Sequence, residues 1–181
     1  MKDLIEALRE YDKIHLPRWE ELPDFDVYMD QLITLVNRYL FFLQEENNPI
    51  ITPAMVNNYV KLNLMPKPIK KKYQRIHIAY LIAITLLKQV ITISQISDGI
   101  DLQVKTSGLK GAYNLFCEEI EESIHCVVVS FTSAQDPLLS FPHFTNENSA
   151  TKLATISLIT KLLCIQFLNR KNKSVKKDRK Q

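Results

Sequence analysis

TPAMVNNYVKLN, residues 52 to 63, carries its own start and stop signals for a helix. Thr52 can accept a hydrogen bond from the first helical turn. Pro53 suits the first helical position because its missing N–H would have no intrahelical partner there. Asn63 tolerates the left-handed backbone conformation that commonly closes a helix. The stretch therefore predicts one short, capped helix.

The rest of the chain is predicted to be helical as well, so the expected fold class is all-α. Only three glycines occur in 181 residues, and apolar residues recur every three or four positions over long segments. That spacing favours helices over strands. The further helices are expected at about 2–13, 26–43, 76–90, 93–103, 109–129 and 150–169, with loops at 44–51 and 134–149.

Positive charge is concentrated in two places. One follows the short helix, in a region with no acidic residue from 62 to 85. The other is 170–180, which carries seven cations and one Asp and so has a net charge of +6 in a chain whose total is +3. The first cluster is too local to reflect general surface composition, and it suits a phosphate backbone. Its cations are Lys67, Lys70, Lys71, Lys72 and Arg75.

A short capped helix that follows another helix and a connecting loop is typical of a helix-turn-helix, which presents its second helix to the DNA major groove. A plain helical bundle produces the same spacing. Residues 50–100 also resemble MerR-type regulators. TPAMVNNYVKLNLMP resembles their recognition helix and turn, Tyr73 and Gln74 before IHIAYLIAITLLKQV resemble the start of the next helix, and TISQISDGI resembles the helix after it.

The MerR resemblance implies a fold as well as an activity. It implies an all-α chain with a MerR-like helix-turn-helix and a short basic wing, packed with additional N- and C-terminal helices. It also implies binding to double-stranded DNA as a homodimer.

Three stretches between residues 19 and 96 are similar to a second family, the bacterial domain of unknown function numbered 1836. They are WEELPDFDVYMDQLITL, NNYVKLNLMPKPIKKKY and LLKQVITISQI. That family resembles MerR-type regulators in this central part. Its name implies no function, so a mechanism has to follow from the residues.

The short helix has an inner and an outer face. Val56, Tyr59 and Val60 should pack inward, which leaves Ala54, Asn57, Asn58 and Lys61 outward. An asparagine amide can donate and accept hydrogen bonds at an adenine edge, so the two asparagines are the expected base readers. The expected phosphate contacts are Lys61, Lys67, Lys70, Lys71, Lys72 and Arg75.

The basic segment is predicted to form a short wing. Pro66 and Pro68 should end the helix and hold the chain extended, because proline fixes φ and biases its predecessor away from helix. Ile69 and Tyr73 are expected to anchor the wing to the domain. The lysines between them are then free to reach phosphates.

The remaining chain divides into candidate regions at residues 104 and 169. Residues 1–104 hold the N-terminal helices and the DNA-binding region, 105–169 a helical dimerisation or core region, and 170–181 a disordered basic tail. The apolar helices at 109–129 and 153–168 suit a dimer interface or an intrachain core equally. The first of these carries an apolar stripe of Leu109, Ala112, Phe116, Ile120, Ile124 and Val127.

Membrane and secretory classes are not expected. Three cysteines without paired spacing, and a start that lacks a signal-peptide pattern, favour a cytoplasmic protein. The most apolar run, 153–168, falls short of the ~20 residues that a spanning helix needs.

No enzyme, metal or cofactor is expected either. Two Ser-x-x-Lys spacings, at 107–110 and 149–152, lack the companion motifs of that chemistry. A metal site can be drawn on paper from four residues, but free cysteines and ordinary histidines are the favoured interpretation. Those residues are Cys117, His125, Cys126 and His143.

The sequence thus favours a dimeric, cytoplasmic transcriptional regulator that binds double-stranded DNA. The alternative is an α-helical protein–protein interaction module that no longer binds DNA.

Overall fold

A computed structural model describes residues 8–44, 49–132, 144–146 and 148–178, with side chains as far as Asn169. Over these residues the chain is all-α, as predicted, and it forms isolated β-bridges but no strand. The first predicted helix, at about 2–13, is observed as helix at residues 8–11. Its predicted start at residue 2 lies outside the described residues. The α-helices are α1 (Met29–Tyr39), α2 (Pro53–Lys61), α3 (Arg75–Leu87), α4 (Ile93–Thr132) and α5 (Ser149–Asp178).

The chain divides into two compact units. One is His15–Glu118, and the other combines Met1–Ile14 with Glu119–Gln181. We call them the central unit and the terminal unit. The predicted region boundaries at residues 104 and 169 stay predictions.

The core of the central unit forms where α1 packs against α2 and α3. Leu32 and Val36 of α1 are fully buried, as is Val56 of α2. Helix α3 is apolar around most of its circumference, which is typical of a helix surrounded by other elements. Its buried apolar residues are Ile78, Ala79, Leu81, Ile82, Ile84 and Leu86.

Helix α2 has the ends that its sequence predicts. Thr52 Oγ1 accepts a hydrogen bond from the Met55 N–H at 3.2 Å, and Pro53 occupies the first turn. Asn63 adopts a left-handed φ of 54°, and the Leu64 N–H donates to the Tyr59 carbonyl at 2.9 Å. These local bonds satisfy backbone groups that a helix leaves unpaired at its ends.

Helix α4 contains the interruption expected between 103 and 109. Gly108 has φ 68° and ψ 167°, a non-helical conformation that kinks the helix. Among the described residues, no heavy atom outside its neighbours lies within 4 Å of where a Cβ would sit. The glycine is therefore required by backbone conformation and not by close packing.

In the terminal unit, the second part of α4 and the first part of α5 run in the same direction. Glu119 contacts Lys152 near the start of α5, and further along both helices Ser123 Oγ lies 2.9 Å from Thr155 Oγ1. The apolar stripe of α4 is buried within this chain at Ile120 and its successors. The described parts of both helices thus contribute to an intrachain core.

A charged cluster lies inside that core. The Lys152 ammonium is 2.8 Å from Glu119 Oε2 and also pairs with Glu122, and Asn148 Nδ2 donates to Glu119 Oε1 at 3.1 Å. Lys152 and Glu119 are only 1% and 4% exposed. Burial alone would lower the pKa of Lys152, but the two glutamates raise it on balance, which keeps the lysine charged.

The segment Ser149–Asn169 of α5 is long and apolar enough to cross a membrane, judged by length and composition alone. The expectation that this run is too short is therefore wrong, because the helix extends beyond 153–168. Only 28% of the apolar window is buried. The segment also contains Lys152, whose ammonium is paired inside the terminal unit.

Candidate nucleic-acid interface

Helix α2 turns a polar face to solvent. Asn57, Asn58 and Lys61 are exposed, while Val56 and Tyr59 are buried. The predicted faces are therefore confirmed except at Val60, which was expected to pack inward and is only half-buried. The outer face offers two amides and one ammonium, which can donate to and accept from the edges and phosphates of a nucleic acid.

The basic segment forms a β-hairpin with a two-residue turn. We call this hairpin the wing (residues 66–73). The Ile69 N–H donates to the Lys72 carbonyl at 3.1 Å, and the Lys72 N–H donates back to the Ile69 carbonyl at 2.9 Å. Lys70 and Lys71 both have positive φ, 48° and 63°. Two positive φ values between paired residues define a type I′ turn.

This turn is strained because of the residues that form it. Type I′ turns favour Asn-Gly, whereas a residue with a Cβ in the left-handed region costs about 1–2 kcal/mol. Lys70 and Lys71 both carry that penalty, and both side chains are exposed at the tip of the wing. Backbone strain that persists at one place is a reason to look for a function there.

The wing is anchored through its backbone. Tyr73 is buried, and it exchanges two N–H···O bonds of 2.8 Å with Val27. The expected second anchor is wrong: Ile69 is 60% exposed. Its backbone closes the turn, and its side chain is left in solvent.

His77 of α3 supports the base of the wing. The Gln74 N–H donates to His77 Nδ1 at 2.8 Å, and His77 Nε2 lies 3.4 Å from the Lys67 carbonyl, which can only accept. Both contacts fit the neutral tautomer with a proton on Nε2. Burial lowers the pKa of His77, although the contact with the Lys67 carbonyl and the charge of Asp26 oppose that effect.

The wing lysines differ in their surroundings. Lys67, Lys70 and Lys71 are exposed, whereas Lys72 is half-buried with its ammonium 5.9 Å from the centre of the Tyr28 ring. Tyr28 is itself 56% exposed. Sequence reasoning missed this tyrosine because it lies 44 positions away and reaches the wing only through the Val27–Tyr73 bridge.

Arg75 is placed differently from the other predicted phosphate contacts. Its Nε donates to the Leu22 carbonyl at 3.1 Å, its Nη1 lies 3.2 Å from Glu20, and its guanidinium lies over the Trp19 ring. Its side chain is 22% exposed. Arg75 therefore ties the segment before α1 to α3.

The stretch of chain that contains the wing has no acidic residue. Residues 47–97 contain no Asp or Glu, and they include α2, the wing and α3. Seven Lys and Arg residues occur in the same range. This local imbalance favours an anionic partner more than the total charge of +3 does.

A cleft of about 270 Å³ opens beside the base of the wing. Lys67 and Asp101 lie on its lining, so it offers one cation and one anion, together with Tyr80. Burial and the charge of Asp101 raise the pKa of Tyr80, which keeps its hydroxyl protonated. The cleft can hydrogen-bond a small polar molecule.

The two Ser-x-x-Lys pairs use their polar atoms elsewhere. Ser107 Oγ donates to the Gln103 carbonyl at 3.1 Å, and Lys110 pairs with Glu20. Ser149 Oγ donates to a backbone carbonyl, and the lysine three positions later belongs to the buried charged cluster. Neither pair has the serine–lysine contact that nucleophilic activation requires.

The metal site drawn on paper is not assembled among the residues that the structure describes. His125 Nδ1 lies 3.0 Å from Asp12, and Cys117 is buried with its thiol 3.7 Å from the Pro17 carbonyl. His143 lies outside the described residues. Within those residues, no group of three or more His, Cys, Asp or Glu side chains is arranged to hold a metal.

The fold and the site define an all-α protein in which a short capped helix leads into a strained basic hairpin. Residues 17–116, more than half of the chain, match the family described as "Domain of unknown function (DUF1836)". The protein therefore belongs to the DUF1836 family. No curated protein and no solved structure matches it.

Proposed function

We propose that this protein is a cytoplasmic transcriptional regulator that binds double-stranded DNA as a homodimer and performs no catalysis. In this proposal α1 and α2 form a MerR-like helix-turn-helix, α2 enters the major groove, and the wing contacts the phosphate backbone. The observation that carries the proposal is the strained Lys70–Lys71 turn at the tip of the wing.

The strained turn supports phosphate binding for an energetic reason. A turn with Gly would relieve the backbone, so two lysines at these positions sacrifice stability. Their exposed ammonium groups gain interaction energy when they release counterions from DNA. Lys61 and Lys67 are also exposed, and they extend the cationic surface on the same stretch of chain.

The outer face of α2 supports base reading. Asn57 and Asn58 are exposed side by side on a helix whose other face is anchored by Val56 and Tyr59. An amide can pair with adenine N6 and N7 together. In this proposal α2 reads the bases, and the lysines position the protein on the DNA backbone.

Arg75 is left out of the proposed contacts because it already bonds Glu20 and Leu22. Lys72 is kept, with its ammonium beside the exposed Tyr28 ring. The proposed phosphate contacts in each subunit are Lys61, Lys67, Lys70, Lys71 and Lys72.

The experiment measures binding to random duplex DNA between 50 and 200 mM salt. A dimer with about 6–10 phosphate contacts should lose about 10³ to 10⁵ in affinity over that range. A variant that ends after Asn169 serves as the control, because the basic tail alone would produce a salt dependence. A flat salt profile in the truncated protein, or no binding at 50 mM, would contradict the proposal.

A protein–protein interaction module is the second candidate, and one observation favours it. Helix α5 exposes Leu153, Phe167 and Leu168, which suits a protein partner better than a nucleic acid. Absence of duplex binding at low salt, in a folded sample, would select this candidate.

A further inference from the structure

The cleft beside the base of the wing combines buried apolar side chains with exposed charges. Leu64 and Met65 are buried in its lining, whereas Lys67 and Asp101 are exposed on the same lining. Buried lining residues lie at the inner end of a cleft, and exposed ones lie at its mouth. The cleft therefore has an apolar inner end and a charged mouth.

The two charges at the mouth are of opposite sign. Lys67 belongs to the wing and Asp101 to α4. Within the residues that the structure describes, neither side chain has a salt-bridge partner, so the two charges do not neutralise each other. A cation and an anion held at one opening are complementary to a ligand that carries both charges.

Two half-buried hydroxyl groups also line the cleft, those of Tyr80 and Ser97. Burial and the charge of Asp101 raise the pKa of Tyr80, so its hydroxyl stays protonated and can donate to a carboxylate. In the described part of the chain, neither hydroxyl is bonded to another side chain or to the backbone. Both are therefore available to a ligand.

The volume of the cleft limits the size of that ligand. Its 270 Å³ equals the volume of about nine water molecules at about 30 Å³ each. A nucleotide is too large for this space, and a single inorganic ion would fill only a small part of it. A small molecule of the size of leucine or methionine fits.

We propose that this cleft binds an α-amino acid with an apolar side chain. The ligand ammonium pairs with Asp101, and the ligand carboxylate pairs with Lys67 and accepts a hydrogen bond from the Tyr80 hydroxyl. The apolar side chain lies against Leu64 and Met65. The central unit thus holds a small-molecule site next to the wing.

Calorimetric titration of the full chain without DNA tests the site. The probes are leucine, methionine and two leucine analogues that keep the isobutyl group. One analogue, 4-methylpentanoate, lacks the ammonium, and the other, 3-methylbutylamine, lacks the carboxylate. A ligand that needs both charges is distinguished in this way from a simple anion or a simple cation.

Leucine or methionine should bind one site per chain with a dissociation constant below about 1 mM, because two ion pairs and apolar contacts act together. Each analogue should bind at least about tenfold more weakly than leucine, because it loses one charge-assisted contact. Absence of binding by both amino acids at about ten times that concentration would overturn the proposal. So would an analogue that binds as tightly as leucine.

Matched variants identify the partner of each charge. Asp101→Asn should weaken leucine binding at least about tenfold and leave the binding of 4-methylpentanoate unchanged. Lys67→Met should weaken leucine binding and leave that of 3-methylbutylamine unchanged. Asp98→Asn makes the same charge change at an exposed position of α4 outside the cleft lining, and it should bind leucine like the parent. Equal losses in the two aspartate variants would overturn the assigned site.

One consequence rests on the proposed function, in which Lys67 contacts a phosphate. Leucine occupies the same ammonium, so saturating leucine should lower duplex affinity and reduce the salt slope by about one per subunit. By linkage, the duplex should weaken leucine binding by the same factor. Unchanged duplex affinity with leucine bound would overturn the competition at Lys67. A protein that binds leucine but no duplex would instead refute the proposed function and leave the site standing.

Discussion

Helices α2 and α5 are alike in their buried faces and differ in their exposed faces. Each buries one side against its own chain: Val56 and Tyr59 on α2, Leu158 and Ile159 on α5. The exposed side of α2 is polar and cationic, whereas the exposed side of α5 includes large apolar side chains such as Leu153 and Phe167. The comparison teaches that the buried face determines the fold, while the chemistry of the second face indicates which partner the helix suits.

The largest expected effect is a loss of stability from a substitution on the buried face of α5. That face contains a buried charge, whereas the buried face of α2 is apolar. Lys152→Met should lower the free energy of unfolding by about 3–5 kcal/mol, because it leaves the buried Glu119 without its cation. Urea unfolding measures the change.

Lys161→Met is the matched control on the exposed side of the same helix, and it should change stability by less than about 0.5 kcal/mol. Equal effects of the two substitutions would mean that the buried charge cluster is not a stability determinant.

The next effect falls on the exposed face of α2. Asn57→Ala or Asn58→Ala should weaken binding by about 1–3 kcal/mol on a preferred duplex selected from a random library, and little on random DNA. The reason is that an amide that meets an adenine edge carries sequence information. Competition binding with the two kinds of duplex measures the difference.

Val56→Ala is the control for the opposite face of α2. It should lower the free energy of unfolding, because Val56 is fully buried. If both asparagine variants discriminate like the parent, α2 does not read bases, and specificity has to come from DNA shape.

How far the sequence predicts this molecule depends on the range of the interaction. The ends of α2 were predictable because Thr52, Pro53 and Asn63 act on backbone groups a few positions away. The interruption of α4 at Gly108 was predictable for the same reason.

Contacts between residues that are far apart in the chain were not predictable from the sequence pattern. The sequence predicts that Arg75 is available to a phosphate, because no acidic residue is near it in the chain. In the fold it contacts Glu20, which lies 55 positions earlier. Lys152 and Glu119, 33 positions apart, form their pair because α4 and α5 pack side by side in the terminal unit. The Lys-Lys turn was missed because turn statistics favour glycine at such positions.

The third prediction concerns a double substitution at the tip of the wing, which should raise the stability of the protein and lower its affinity for DNA. Lys70→Asn with Lys71→Gly should increase the free energy of unfolding by about 1–2 kcal/mol, because glycine removes the Cβ at one left-handed position and asparagine tolerates that conformation at the other. Duplex affinity should fall, and the salt slope should fall by about one for each phosphate that the wing no longer binds. Lys67→Ala, at a position with ordinary φ, should lower affinity without the gain in stability.

This pair of variants separates strain from charge. A double substitution that stabilises the protein and binds DNA like the parent would show that the strained turn has no role in binding.

The smallest expected effect concerns pH and the support of the wing. Burial lowers the pKa of His77 in the folded state, so the unfolded chain binds the proton more readily. Stability should therefore be fully present above the unfolded value of about 6.5 and should decrease as pH falls below it. A proton on Nδ1 would also remove the acceptor for the Gln74 N–H.

Thermal unfolding between pH 7.5 and 5.5 measures this dependence. His77→Gln should show a shallower decline than the parent. Parallel curves for the two proteins would assign the acid sensitivity to other groups.

Gly108 shows that solvent exposure is a poor guide to mutational tolerance. The residue is exposed, and the described residues leave room for a Cβ, so a map of burial would rank it among the most replaceable positions. Yet φ 68° with ψ 167° is a backbone conformation essentially restricted to glycine. Replacement by serine or alanine would therefore alter the course of a 40-residue helix, although the added side-chain atoms would meet no close neighbour among the described residues.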